Sequence, residues 1–152
     1  MGTGHYLQHR VIDDVPFNTM LNMKISDFDA ESVTLYLPEQ DNIHSQNGGT
    51  HPSAQYAVAE AASRALLERC FSDLLEEGFI SNAVEATIQY RKDSVGNLKA
   101  VATLPQEQQQ FIRASLKTRK RANFAVDVDI IDESGITGSI MHVKWMVLPE
   151  RG

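Results

Sequence analysis

The sequence predicts an α+β fold in which an antiparallel sheet of about five to six strands wraps around one long helix. Only residues 52–77 carry a long helical pattern. Short segments that alternate apolar and polar residues lie on both sides of it. Runs of strands with a single segregated helix are typical of an antiparallel sheet, because parallel strands need a crossover between each pair.

The part before the helix contains the first strand pair. We expect, in order, a flexible arm (residues 1–15), one helical turn (17–21) and two strands (23–28 and 33–37). In the second strand Val33, Leu35 and Leu37 alternate with polar positions, which is the period of a half-buried strand. A polar loop over residues 38–50 then leads to the long helix.

The long helix has clear end signals and an unusual composition. Pro52 suits a first helical position, and Gly78 suits the position just past the end. Alanine occupies positions 54, 57, 59, 61, 62 and 65. Alanine favours helix, and its small side chain lets a sheet approach the helix backbone closely. We therefore expect this helix to be enclosed by the sheet.

The remainder is mostly strand. Alternation over residues 84–91 and 98–104 predicts two strands, and residues 106–118 a short helix. A hairpin is expected from residues 122–131 and 136–148, with a turn at Asp132-Glu133-Ser134-Gly135 between them.

Length and composition limit the class of protein. A chain of 152 residues with 42% hydrophobic residues fits a single domain over residues 1–152, with a real core. Cys70 is the only cysteine, which excludes an internal disulfide framework and a cysteine-rich zinc site. No signal peptide and no membrane span is expected, so we predict a cytoplasmic protein.

The charge is unevenly distributed. The chain carries a formal −6, yet residues 91–121 hold eight basic and two acidic side chains, which leaves −12 for the rest. A local positive field in an acidic protein favours a small anionic ligand over nucleic acid. The alternative is an ordinary solvated helix face with basic residues near its C-terminal end.

The loop before the long helix holds the residues best suited to chemistry. Gly48 and Gly49 precede a helix N-terminus, so backbone N–H groups there could stabilise a developing oxyanion. Glu60 lies farther into the helix and could act on water as a general base. The alternative is that Glu60 and Arg64 form an ordinary exposed i,i+4 pair.

Other reactive side chains are less suggestive. His44 and His51 flank the glycines and could polarise a carbonyl, although a loop histidine is more often just solvated. No HExxH or CxxC pattern accompanies them, so no metal is expected. Cys70 lies in the bulky half of the helix and is expected in the core.

Taken together, the segment NIHSQNGGTHPSAQYAVAEAASRALL resembles the hotdog-fold acyl-CoA thioesterases of the phenylacetic-acid-degradation (PaaI-like) type. Two later segments are also similar: ATIQYRKDSVGNLKAVATL and NFAVDVDIIDESGITGSIMHVKWMVL. The resemblance covers roughly residues 20–148. It implies a long helix wrapped by an antiparallel sheet, in a homodimer or dimer of dimers whose interface forms the active sites.

The resemblance also implies roles for particular residues. The family carboxylate falls on Glu60, as base or nucleophile, the oxyanion glycine on Gly48 or Gly49, and a histidine on His51. The family asparagine corresponds to Ser45 without gaps, with Asn42 and Asn47 on either side. Contacts to substrate or coenzyme A are expected from Ser45, Ser63, Tyr90, Arg91, Lys92, Lys117, Arg119, Lys120 and Arg121.

The activity so implied is hydrolysis of an acyl-CoA thioester to the free acid and coenzyme A. No cofactor is expected, since coenzyme A is part of the substrate, and neither nucleic acid nor a membrane is an expected partner. The main alternative is a hotdog protein that binds an acyl-CoA or another small molecule without turnover. A dehydratase or hydratase on the same fold ranks last, because its usual histidine–acid spacing is missing.

Overall fold

The computed structural model describes residues 3–150 and contains an antiparallel sheet with helices. The helices are α1 (Thr3–Leu7), a π-helix (Gln8–Asp13), α2 (Pro16–Met20), a 3₁₀ turn (Asp41–Ile43), α3 (Pro52–Glu76) and α4 (Gln106–Arg119). The strands are β1 (Lys24–Phe28), β2 (Ser32–Leu37), β3 (Phe79–Tyr90), β4 (Leu98–Thr103), β5 (Ala122–Ile131) and β6 (Thr137–Pro149). Within residues 3–150, no helix is both long and apolar enough to cross a membrane.

The six strands form one sheet in the order β1-β2-β4-β5-β6-β3, with every pair antiparallel. This confirms the predicted α+β class. The third strand starts at Phe79, several residues before the predicted start at 84. A bulge between Ala83 and Glu85 explains the difference, because it shifts the alternation of buried and exposed residues within the strand.

The long helix α3 packs against five strands, from β2 to β6, and is enclosed as predicted. Its alanines at 59, 61, 62 and 65 have no exposed surface. Pro52 occupies the first turn, and Gly78 follows the end with φ +103, a conformation that favours glycine. The small side chains let the sheet curve closely around the helix.

The N-terminal segment differs from the predicted flexible arm. Thr3–Asp13 is helical, and Leu7, Val11 and Ile12 are at most 2% exposed. The buried Asn18 side chain donates to the Val11 carbonyl at 2.9 Å and holds this segment to α2. Apolar residues at helical spacing stabilise the segment by covering one end of α3. Residues 1 and 2 of the expected arm lie outside the described residues.

The last helix, α4, is also fixed to the core. Ile112 and Leu116 are buried, as their spacing predicts. Arg113 forms two hydrogen bonds to the Asp73 carboxylate, both 3.0 Å, and so ties α4 to the C-terminal half of α3. This bidentate pair holds the pKa of Asp73 below its usual range.

Leu7→Ala tests the role of the N-terminal helices. Leu7 is fully buried, so the substitution should lower the free energy of unfolding by about 2–5 kcal/mol. The exposed His5→Ala serves as the matched control and should change it by less than about 0.5 kcal/mol. Urea denaturation measures both, and equal stability of the two variants would show that the segment does not pack.

Candidate active site at the entry to the long helix

A tight turn precedes α3 and is built around Ser45. The Ser45 N–H donates to the Gly49 carbonyl at 2.7 Å, and the Gly48 N–H donates back to the Ser45 carbonyl at 3.1 Å. The Ser45 hydroxyl accepts from the Asn47 N–H at 3.3 Å. Gly48 has φ +85, which a side chain would strain. Ser45 therefore organises the two glycines.

Gly49 is required for a different reason, which is close approach. A Cβ atom at this position would lie 2.8 Å from the backbone carbonyl oxygen of Ser94. The same Ser94 oxygen accepts from the Thr50 N–H at 3.3 Å. The loop before α3 is thus pressed against the segment that follows β3.

The amides at the start of α3 already have partners. Pro52 has no N–H, and the Ser53 N–H donates to His51 Nδ1 at 2.9 Å. The N–H groups of Ala54 and Gln55 both donate to the His51 carbonyl. These first helical amides, which the sequence suggested as oxyanion donors together with the glycines, are therefore not free.

Among the amides suggested as oxyanion donors, that of Gly49 has no acceptor within the described residues, and the Gln46 N–H of the same turn has none either. Among residues 3–150 no group accepts from the Gly49 N–H, although the amides on both sides of it are bonded. Gly49 is also partly exposed. The structure therefore narrows the predicted set of donors, and Gly49 remains as the donor that an external oxygen could use.

The carboxylate of Glu60 lies on the outer face of α3. Its side chain is 30% exposed, and Oε2 is 3.6 Å from Nε of Arg64. The Arg64 guanidinium in turn lies 4.8 Å from the ring centroid of the buried Trp145. The i,i+4 pair predicted as the alternative thus exists, and Trp145 fixes the position of its arginine.

Glu60 and Gly49 of one chain lie apart. Glu60 is eight residues beyond Pro52, which is about 12 Å along the helix axis. Its pairing with Arg64 also turns the carboxylate toward the C-terminal side of the helix. A single chain therefore does not bring the free N–H and the carboxylate to one point.

The neighbours of Glu60 on α3 divide into two groups. Ser53 and Tyr56 are exposed, whereas Leu67 and Ser63 are buried. The Ser63 hydroxyl donates to the Glu60 carbonyl at 2.7 Å inside the helix. The structure therefore does not support the expected substrate contact from Ser63, because the hydroxyl is enclosed and already bonded.

Tyr90, another expected substrate contact, ties the end of β3 to the start of α3. Its hydroxyl donates to the Pro52 carbonyl at 3.0 Å. Partial burial, followed by the nearby Tyr56 hydroxyl, raises the pKa of Tyr90 above its usual range. Tyr90 remains 46% exposed beside the helix entry.

The asparagines and histidines of the loop differ in their exposure and in their hydrogen-bond partners. Asn42, in the 3₁₀ turn, and Asn47 are exposed. Neither asparagine side chain has a hydrogen bond within the described part of the chain. His51 Nδ1 caps α3 by accepting from the Ser53 N–H, so Nε2 is the ring nitrogen left for another partner. His44 Nε2 lies 3.5 Å from a carboxylate oxygen of Glu39.

The basic residues form two groups rather than one. Arg91 and Lys92 follow β3 at the end where Tyr90 pairs with Ser139 of β6. The other group, Lys117, Arg119, Lys120 and Arg121, precedes Ala122, which pairs with Val147 near the other end of β6. All six are exposed. The two groups lie about 26 Å apart along the strand direction within one chain.

Some residues at the site were not anticipated. The Gln55 side chain is only 4% exposed and lies directly behind the loop. The sequence pattern could have indicated that Gln55 is buried, because Gln55 begins the buried stripe of Val58, Ala59 and Ala62 at helical spacing. Ser94 and Trp145 lie far from this loop in sequence, so no local pattern could have indicated them.

A cavity of about 290 Å³ lies beside Arg64, between α3 and the start of β3. Its lining includes Arg10, Glu68 and Phe79. The Glu68 carboxylate accepts from Arg10 at 3.2 Å and from the Tyr6 hydroxyl at 3.1 Å. This cluster contains residues of the N-terminal segment, which the sequence had assigned to an arm.

A metal site and a cysteine nucleophile are two other kinds of centre to consider among the described residues. Across residues 3–150 no group of three or more histidine, cysteine, aspartate or glutamate side chains is placed to hold a metal. Cys70 is buried, and burial raises the pKa of its thiol to about 11. Such a thiol is a poor nucleophile near neutral pH.

Comparison with known proteins supports this interpretation of the fold. A Pseudomonas aeruginosa protein of unknown function, described as a probable thioesterase, is 17% identical and has a TM-score of 0.86; the alignment covers 99% of this chain and 97% of that one. A Haemophilus influenzae thioesterase is 17% identical, with coverage of 86% and 81% and a TM-score of 0.67.

A Staphylococcus aureus thioesterase is 18% identical, with coverage of 89% and 100% and a TM-score of 0.68. Its structures include one variant with a glutamine replaced by alanine and another with a glutamate, fifteen residues farther along, replaced by alanine. No curated protein sequence matches the chain.

These likenesses identify the fold as the hotdog fold, as the resemblance implied. Residues 4–147 match a family described as a domain of unknown function, DUF4442. With nearly the whole length matched, the chain belongs to the DUF4442 family and has the hotdog fold.

Proposed function

We propose that this protein is an acyl-CoA thioesterase that hydrolyses a thioester to a free acid and coenzyme A. The observation that supports this most is the free N–H of Gly49, held by a bonded loop at the entry to α3. A fixed N–H that needs no rearrangement is what stabilises a developing oxyanion most effectively. The thioesterase descriptions of the structural neighbours support the same reaction class.

In the proposed reaction the thioester oxygen accepts from the Gly49 N–H. Water attacks the carbonyl carbon, and negative charge gathers on that oxygen in the tetrahedral intermediate. The carbon–sulfur bond then breaks, and coenzyme A leaves as a thiolate that takes up a proton. The products are the carboxylic acid and free coenzyme A.

Glu60 supplies the carboxylate. It either removes a proton from the attacking water or attacks the carbonyl itself to form an anhydride that water then opens. Its side chain, 30% exposed, lies on the outer face of α3. Ser45 precedes Glu60 by fifteen residues, the spacing that separates the substituted glutamine and glutamate of the S. aureus thioesterase.

The proposed site requires two copies of the chain. β3 is an edge strand of twelve residues, with Ile80, Val84 and Tyr90 more than a third exposed. A long unpaired edge of this kind favours pairing with another strand. If two chains pair about a two-fold axis near the exposed Tyr56, the α3 helices run antiparallel. Glu60 of one chain then approaches Gly49 of the other.

The same pairing helps to place the phosphates of coenzyme A. Because Tyr56 lies beside Tyr90, a two-fold axis there brings Arg91 and Lys92 of both copies together near the helix entries. Lys117, Arg119, Lys120 and Arg121 lie about 26 Å farther along the strand direction, so we propose Arg91 and Lys92 as the first phosphate contacts. Exposed arginine and lysine side chains are suited to phosphate groups.

A second candidate function is binding of an acyl-CoA without turnover. It is favoured by the occupied amides of Ser53, Ala54 and Gln55, which leave one backbone donor where several could have been available. The two candidates differ in whether free thiol is released, and the first prediction below distinguishes them.

Glu60→Gln should lower kcat for acyl-CoA hydrolysis by about 10²–10⁴-fold, because the amide can neither take a proton nor attack. Release of free thiol from short, long and aromatic acyl-CoA substrates measures this. Glu76→Gln, an exposed glutamate at the end of the same helix, is the matched control and should retain full turnover. Turnover of Glu60→Gln equal to that of the control would remove Glu60 from the mechanism. Stabilisation of the wild type by an acyl-CoA without any thiol release would favour the binding protein.

Mixing two inactive variants tests whether the site is shared between chains. Gly49→Ala should be inactive, because its Cβ would meet the Ser94 oxygen at 2.8 Å and force the loop to move. After subunit exchange with an equal amount of Glu60→Gln, half of the dimers are mixed, and each has one intact site if the residues come from opposite chains. Activity should then recover to about a quarter of the wild-type value. No recovery in exchanged dimers would place both residues of a site in the same chain.

A further inference from the structure

We propose that Gln55 is a positioning residue for the proposed reaction, and that its side-chain amide sets the direction of the free Gly49 N–H by holding the Thr50 carbonyl. This inference rests on the proposed function. Gln55 lies in the first turn of α3 and is 4% exposed. Its role follows from the hydrogen bonds on either side of it.

The Gln55 amide joins the loop to the sheet. Nε2 donates to the Thr50 carbonyl at 2.9 Å, and Oε1 accepts from the Ser139 hydroxyl at 2.6 Å. Ser139 lies on β6 and has no exposed surface. An amide suits this position because it donates at one end and accepts at the other, which neither a carboxylate nor an apolar side chain does.

The two peptide groups that follow Gly49 are each bonded at both ends. Thr50 donates its N–H to Ser94 and accepts from Gln55 with its carbonyl. The Gly49 carbonyl accepts from Ser45. Within the described residues the peptide group that carries the Gly49 N–H has no hydrogen bond, either at that N–H or at the Gly48 carbonyl, so its direction depends on how firmly the following residue, Thr50, is held.

The energetic reason is that Gly49 has no side chain to limit its backbone. A glycine samples more conformations than any other residue, so a donor on it must be fixed by its neighbours. A donor that moves by about 1 Å from the reacting oxygen can cost about 100-fold in rate. We therefore expect Gln55 to act on kcat rather than on substrate affinity.

Gln55→Leu should lower kcat by about 10-fold to 100-fold while KM changes little. Asn18→Leu is the matched control, since Asn18 is also a buried amide that donates to a backbone carbonyl, 2.9 Å from Val11, but it holds the N-terminal segment rather than residues 45–50. Both variants should lose thermal stability. Only Gln55→Leu should lose kcat, and a kcat equal to that of Asn18→Leu would overturn the proposal.

Gln55→Glu should make kcat depend on pH in a new way, which substitution of a residue with a purely structural role would not do. A protonated carboxyl can donate to Thr50 and accept from Ser139, whereas the ionised form cannot donate. Burial raises the pKa of a carboxyl above about 4.3, so the introduced group should ionise within the assay range. The ratio of variant to wild-type kcat should be near one at low pH and fall as pH rises.

Other ionisable groups near the loop do not contribute to the pH dependence of this kcat ratio, because wild type and variant share them. They are His44 and His51 in the loop, Tyr56 and Glu60 on α3, Tyr90, Arg91, Lys92 and Asp93 at and after the end of β3, and Asp132 after β5. Gln55→Leu provides a second reference, and its ratio should not vary with pH. A ratio for Gln55→Glu that is flat across the range in which both proteins stay folded would contradict the proposal.

Amide hydrogen exchange separates this proposal from the proposed function. If Gln55 holds the Thr50 carbonyl, Gln55→Leu should speed exchange at the His51 N–H of the same peptide group, and Asn18→Leu should not. Unchanged exchange at His51 would reject the anchoring role even if the wild type hydrolyses thioesters. Absence of thiol release from the wild type would reject the proposed function, and the exchange would still test the anchor.

Discussion

The enclosure of α3 by a single sheet is the constraint on which the rest of the structure depends. The helix is buried by five strands, and alanines at the contact let the strands pass close to its axis. Because the helix is held along its length, its first turn has a fixed position relative to the ends of β3 and β6. The loop of Ser45 to Thr50 can then be anchored on both sides.

That anchoring limits the movement of the loop around Gly49. The peptide groups that follow Gly49 are bonded to Ser45, Ser94 and the Gln55 amide. His51 and Pro52 close the helix end, so its dipole is present while its first amides are occupied. Of the amides suggested as oxyanion donors, that of Gly49 is the one left without an acceptor in the described residues, and the proposed function assigns it that role.

The sequence was informative wherever a local pattern determines the outcome. The class of fold, the ends of α3 and the hairpin of β5 and β6 follow from periodicity and from the end signals Pro52 and Gly78. The N-terminal helices were missed because Leu7, Val11 and Ile12 gain their stability from packing on α3 rather than from local propensity.

The site was predictable only in part, for a similar reason. Gly48, Gly49 and Glu60 were suggested by their position around a helix start, but the occupied amides depend on Ser94 and on the His51 cap. The buried hydroxyl of Ser63 follows from the depth to which the helix is enclosed. The separation of Gly49 from Glu60 follows from helix rise, and it is the reason that the proposed site involves two chains.

The most direct test of this account is a crystal structure of the Glu60→Gln variant with an intact acyl-CoA. We expect the thioester oxygen within about 3 Å of the Gly49 nitrogen of one chain, with residue 60 of the other chain facing the carbonyl carbon. A thioester bound elsewhere, or an oxygen held by the Ser53 or Ala54 amides after the His51 cap has opened, would contradict it.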